Sequence, residues 1–134
     1  VVRLILDTGV VIAGVRGRLD MAALADTDDV ALPAIAVAEY LTGTLLDADP
    51  GRAAAQRMFL DDILQVLPVH DYDRTVAEHH AALLAHVRTT GDKRGAHDLI
   101  IAATARATGR LVLTTDDRAR FGELPDVSAR VVAG

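Results

Sequence analysis

The chain opens with Val1-Val2-Arg3-Leu4-Ile5-Leu6, β-branched and aliphatic almost throughout, and the run stops at Asp7. A short apolar run without polar alternation predicts a strand buried on both faces, here with an acid at its C-terminal end. Val30-Ala31-Leu32, ended by Pro33, predicts a second strand of this kind. Leu111-Val112-Leu113 predicts another, running into Thr114-Thr115-Asp116-Asp117. Val66-Leu67, stopped by Pro68, reads as a short strand, and Arg130-Val131-Val132 as a last edge strand.

Between these runs the apolar period changes to that of helices. Leu19 to Ala25 is a short helical run, and Ile35 to Leu46 a longer one with Pro33 near its N-terminus. A helix is expected from Ala53 to Leu64, after an Asp49-Pro50-Gly51 turn. From Thr75 to Arg88, Val76, Leu83, Leu84 and Val87 follow helical spacing, with Asp73 as N-cap and Gly91 as terminator. The loop 91–95 leads into a helix from Ala96 to about Thr108, closed by Gly109. Strands alternating with helices, with no linker or repeat, predict one α/β domain over residues 1–134. Its architecture is three-layer α/β/α with a central, mainly parallel sheet.

At 134 residues the chain supports one core and not two. The absence of cysteine excludes a disulfide framework and a thiolate metal site. The apolar runs are too short to span a bilayer and no signal-peptide layout is present, so a soluble, cytoplasmic protein is expected. The formal charge is −5, and sixteen of the nineteen acids are Asp. A net acidic chain argues against bulk binding of nucleic acid, unless some of those acids hold cations.

The position of the acids favours that exception. Ligands of parallel α/β sheets gather outside the carboxyl ends of the strands. Asp7 follows the first strand and Asp116-Asp117 the late one, so both groups fall on one rim. Asp98 lies in the first turn of its helix, among Leu99, Ile100 and Ile101, where free N–H groups favour an anion. Glu39 sits in a mostly apolar helix and is able to point inward. Four converging carboxylates repel one another unless a divalent cation compensates. All-oxygen ligands without Cys point to Mg²⁺ or Mn²⁺ rather than structural zinc.

Each acid also has an ordinary reading. Asp7 is a good N-cap for a following helix, Glu39 a solvated helix residue, Asp98 a first-turn acid, and Asp116-Asp117 a turn. The joint pattern carries the case for a site. His79, His80 and His86 have no second cluster to complete a zinc site, and His97, beside Asp98, reads as structural ahead of a contact to substrate. Arg16, Arg18, Lys93, Arg94, Arg118 and Arg120 fall in loops or turns near the rim, where phosphate contacts or plain surface charge are the two options.

LDTGVV at 6–11, AEY at 38–40, HDLIIAATA at 97–105 and LTTDDRARF at 113–121 resemble, in order and spacing, the four acidic motifs of PIN-domain ribonucleases. The likeness is greatest to the VapC-type toxins of bacterial toxin–antitoxin pairs and covers nearly the whole chain. It implies a PIN-like α/β/α fold and a Mg²⁺- or Mn²⁺-dependent endoribonuclease. Asp7, Glu39 and Asp98 take the first three acidic roles. Asp116 takes the fourth, with Asp117 as alternative, and the cation falls to Asp7, Asp98 and Asp116. The family's threonine near the fourth acid is Thr114 or Thr115. The resemblance further implies a VapB-type antitoxin partner, an RNA substrate and a homodimer, for which Val10-Val11-Ile12 and the helix 35–46 are candidate surfaces.

Three other classes share parts of this pattern. Asp7-Thr8-Gly9 matches the aspartic-protease triplet, but those enzymes are β-rich. A phosphoryl-transfer enzyme using Asp7 would want a second acid at position 9, which is Gly, and a receiver domain a Lys after a late strand. A catalytically silent PIN-like domain that only binds a protein partner is the third.

Overall fold

Leu4 and Leu6 face one side of a sheet and Ile5 the other, and this alternation organises the chain. The computed structural model describes residues 1–134. Five strands, β1 (Arg3–Leu6), β2 (Asp29–Pro33), β3 (Val69–His70), β4 (Leu111–Thr114) and β5 (Ala129–Val131), form one sheet in the order β3-β2-β1-β4-β5. Every pairing is parallel. Seen from β1, the chain first builds outward to β2 and β3, then returns to lay β4 on the other side. The carboxyl ends of β1 and β4 therefore flank the point where strand order reverses.

Two helical layers cover the sheet. Leu4, Leu6, Val30, Leu32 and Leu113 pack against α1 (Thr8–Val15), α2 (Met21–Thr27), α3 (Ala34–Leu46) and α4 (Pro50–Leu64) through Val10, Val11, Met21, Tyr40, Leu60 and Ile63. Ile5 and Val112 pack against α5 (Arg74–Thr90) and α6 (Ala96–Thr108) through Val76, Leu83, Leu99 and Ile101, with Phe121 closing that layer. The expected three-layer α/β/α arrangement with a parallel sheet is what forms.

Several local expectations change. Residues 8–15, passed over as a separate element in the apolar pattern, form α1, because Val10 and Val11 are wholly buried under the sheet. That also removes them from any dimer surface. Asp49-Pro50-Gly51 is not a turn before α4 but its first residues: Asp49 accepts from the N–H groups of Gly51 and Arg52, and Pro50 occupies the first helical position. The third strand lies after Pro68, not before it. Val66 and Leu67 instead close α4, both donating to the carbonyl of Ile63, while the Pro68 carbonyl accepts from Leu32 and starts the ladder. Gly91 and Gly109 end α5 and α6 in the left-handed conformation, as their composition suggested.

Candidate active site

Asp7 extends the β1–β4 ladder by one bond, its N–H donating to the Leu113 carbonyl at 2.9 Å, and then caps α1. A cap usually reaches the second or third helical N–H. Here Oδ1 accepts from the first, Thr8 N–H, at 2.8 Å, and Oδ2 accepts from the Thr114 hydroxyl at 2.8 Å. The capping reading of Asp7 and the site reading are thus one geometry.

The Thr8 hydroxyl donates to Glu39 Oε1 at 3.1 Å, tying α1 to α3. On its other side Glu39 Oε2 lies 3.4 Å from His97 Nδ1 on α6. Asp98, one residue on, folds back toward the helix start: a Cβ on Gly95 would stand 3.0 Å from its Oδ2. Asp116 follows β4. Its N–H donates to the Thr114 hydroxyl oxygen at 3.0 Å, and its Oδ1 accepts from Arg118 N–H at 2.9 Å.

These four carboxylates sense one another. Burial pushes the Asp7 carboxyl above its ordinary pKa, opposed by the hydrogen bonds from Thr114 and Thr8 and reinforced by the charges of Glu39 and Asp116. Asp98 has no such donors. Burial, then the charges of Asp7, Asp116 and Glu39, push it up to about 6, with His97 opposing. Asp117 figures in neither balance; it begins a 3₁₀ turn, Asp117–Ala119, beside Asp116. No three His, Asp or Glu side chains form, as they stand, a group able to hold a metal ion. The cluster is an open, repulsive rim.

The PIN domain family matches residues 4–126. The chain belongs to that family. Among solved structures, this PIN domain superposes on VapBC2 from Rickettsia felis bound to a DNA fragment from their promoter. The TM-score is 0.84 at 20% identity, covering 96% of this chain and 98% of that one. FitAcB from Neisseria gonorrhoeae gives 0.76 at 28% identity over 94% and 95% of the two chains. VapBC-5 from Mycobacterium tuberculosis, a member of the VapBC family of toxin-antitoxin systems, gives 0.75 at 28% over 97% of each. No curated protein sequence matches.

Within the PIN domain, the remaining expected residues separate. Of the two threonines, Thr114 touches Asp7, whereas Thr115 packs between Gly9 of α1 and Gly134. Arg118 and Arg120 line a surface hollow of about 560 Å³ beside Asp116. Arg18 donates to the Gly134 carbonyl, and Arg16 lines a groove of about 660 Å³ between α1, α3 and α4 that has Glu39 in its wall. Arg94 is no loose surface charge, because its side chain is largely buried and its Nε and Nη1 are bonded to Asp92, Ala119 and Arg120. No periodicity signals that, since two of those partners lie 25 and 26 residues away. His80 bonds the Tyr72 hydroxyl. No helix is long and apolar enough to cross a membrane.

Proposed function

We propose that this PIN domain is the toxin of a toxin–antitoxin pair, an endoribonuclease that hydrolyses RNA phosphodiester bonds with Mg²⁺ or Mn²⁺. Asp7, Glu39, Asp98 and Asp116 are its acidic residues, with Asp7, Asp98 and Asp116 nearest the cation. The observation that carries the reading is Asp98. A half-buried carboxylate without a hydrogen-bond donor, pushed up to about 6 by burial and then by three neighbouring acids, is an unfavourable arrangement that a hard cation would reverse.

The donor set fits such an ion. It is all oxygen, and Mg²⁺ keeps several waters while taking one or two carboxylates, so an open rim suits it better than a closed cage. When bound, the cation supplies charge compensation and Lewis acidity at a phosphate oxygen. The chain's own residues do the rest. Thr114 and Thr8 N–H hold the Asp7 carboxylate in one orientation. The Thr8 hydroxyl does the same for Glu39, whose other oxygen faces His97. Arg118, in the hollow beside Asp116, would take a neighbouring phosphate of a single strand, whereas Arg120 in the same hollow is paired with Asp92.

The partner in this reading is a VapB-type antitoxin. The groove between α1, α3 and α4 has Glu39 in its wall, the acid that a basic side chain of such a segment would meet, whereas Asp47 in the same wall is already paired with Arg52. Leu45 and Leu46 at the end of α3 are largely exposed and offer apolar surface for a second copy in a homodimer.

The deciding experiment is cleavage of total bacterial RNA by the purified, antitoxin-free chain with Mg²⁺, with Mn²⁺ and with EDTA, beside a folded Asp98→Asn variant. Discrete fragments that disappear with EDTA and in the variant are expected. No cleavage under any condition, with no Mn²⁺ binding, would leave a silent partner-binding domain.

A further inference from the structure

The two segments that carry Asp98 and Asp116 are joined by one buried side chain. The side chain of Arg94, in the loop before α6, is only 5% exposed. Its Nε donates to Asp92 Oδ2 at 2.8 Å, within the same loop. Its Nη1 crosses to the turn after β4 and donates to the carbonyls of Ala119 at 2.9 Å and Arg120 at 2.8 Å. Arg120 closes the ring from the other side, Nη2 donating to Asp92 Oδ1 at 3.0 Å. Asp92 thus lies between two guanidinium groups, which hold its carboxyl below the usual range.

Both segments need such a tie. The N-terminus of α6 has Gly95 as its cap and receives no side-chain hydrogen bond. The turn after β4 places Arg120 in the left-handed region, φ 49°, which a non-glycine residue occupies only when its surroundings enforce it. Arg94 takes up the carbonyl of that same residue. Asp98 lies four positions after Arg94, and Asp116 three before Ala119. Without a cation, repulsion between the two carboxylates works to spread the loops apart.

We infer that Arg94 is a positioning residue: it ties the loop before α6 to the turn after β4 and so fixes the separation at which Asp98 and Asp116 meet a divalent cation. The inference rests on the cation-site reading above. The planar fork of Arg serves acceptors on two segments at once, whereas Lys, a point charge, serves only one side. A brace that mattered only to folding would change stability and leave cation affinity alone.

The test compares wild type, Arg94→Ala and Arg94→Lys as full chains free of antitoxin. It reads thermal melting, amide hydrogen exchange and Mn²⁺ affinity by calorimetry. In Arg94→Ala, exchange should quicken over 96–99 and 117–123 but not in the α4 core, and Mn²⁺ affinity should fall about tenfold or more. Arg94→Lys should recover part of that loss. If Arg94→Ala does not fold, Arg94→Lys and Asp92→Asn carry the comparison, each with a smaller loss expected. Mn²⁺ affinity within about twofold of wild type in a folded variant overturns the inference, whatever the exchange shows, and leaves the cation site standing. Wild type that binds no Mn²⁺ removes the cation site itself, and the positioning role with it.

Discussion

The hydroxyl of Thr114, last residue of β4, donates to Asp7 Oδ2 across the gap at which strand order reverses, 2.8 Å away and 107 positions distant in sequence. The same oxygen accepts from the N–H of Asp116. One wholly buried hydroxyl therefore sets Asp7 and Asp116 relative to each other.

Thr114→Val removes that hydroxyl with little change of shape. It leaves the Asp116 N–H without its acceptor and takes from Asp7 the strongest interaction opposing the rise of its pKa. A loss of about 1–3 kcal/mol is expected by chemical denaturation, together with a marked fall in RNA cleavage. Thr114→Ser should restore most of both. Wild-type cleavage in Thr114→Val would refute the bridge.

Asp98 makes the apo protein sensitive to pH. Its folded pKa of about 6 lies above the ordinary value of 3.8, so the folded state holds the proton more tightly than the unfolded chain. As pH rises from 3.8 to about 6, the unfolded chain ionises first and this group's contribution turns destabilising, complete above that window. Asp7 is shifted in the same direction. This contribution favours the cation-free protein at pH 5 over pH 7, against the opposite trend of His70 and His80, whose pKa values burial lowers. Asp98→Asn should remove the Asp98 contribution and raise the pH 7 melting point by about 3–5 °C for each ~1 kcal/mol relieved, while abolishing cleavage. A variant that melts lower than wild type at pH 7 would contradict the electrostatic account.

Asp116 and Asp117 are adjacent in sequence, but only Asp116 shares the field of Asp7 and Asp98. Asp116→Asn should lower Mn²⁺ affinity and cleavage by about tenfold or more, whereas Asp117→Asn should change each by less than about threefold, as expected of a surface substitution. The reverse order, measured by calorimetry and by gel, would transfer the fourth role to Asp117.

Gly9 lies in α1 with Thr115 directly against it, so that a Cβ there would collide with Thr115 Oγ1. Helix propensity alone would make Gly9→Ala stabilising by about 1 kcal/mol. The collision should cancel that gain and displace the turn carrying Asp116, lowering cleavage. Adding Thr115→Ala should return stability above wild type. A stabilised Gly9→Ala single variant with full cleavage would show that the close approach is unimportant.

Much of this was legible in the chain. Unalternated runs at 3–6, 30–32 and 111–113 specify strands buried on both sides, and the parallel sheet follows, because period and composition are local properties. The same holds for acids at strand ends: Asp7 and Asp116 must share a rim once their strands are parallel. Boundaries governed by a single bond were less legible. Pro50 opens α4 because Asp49 caps it, and the third strand starts after Pro68 because the carbonyl of that residue is the one Leu32 reaches.

What only the tertiary structure decided is the set of partners each polar group finds at long range. The sequence left Thr114 and Thr115 equivalent; the strand register turns one toward Asp7 and the other toward Gly9. It preferred Asp116 to Asp117 only through a resemblance; in the fold Asp116, and not Asp117 at the start of the 3₁₀ turn, lies in the field of the other acids. It placed Arg94 among loose surface charges, and folding buried it between two loops 25 residues apart. Period and composition determine which face of an element is apolar, so they establish the layers. The direction of a polar side chain depends on a partner that proximity in the folded chain alone supplies.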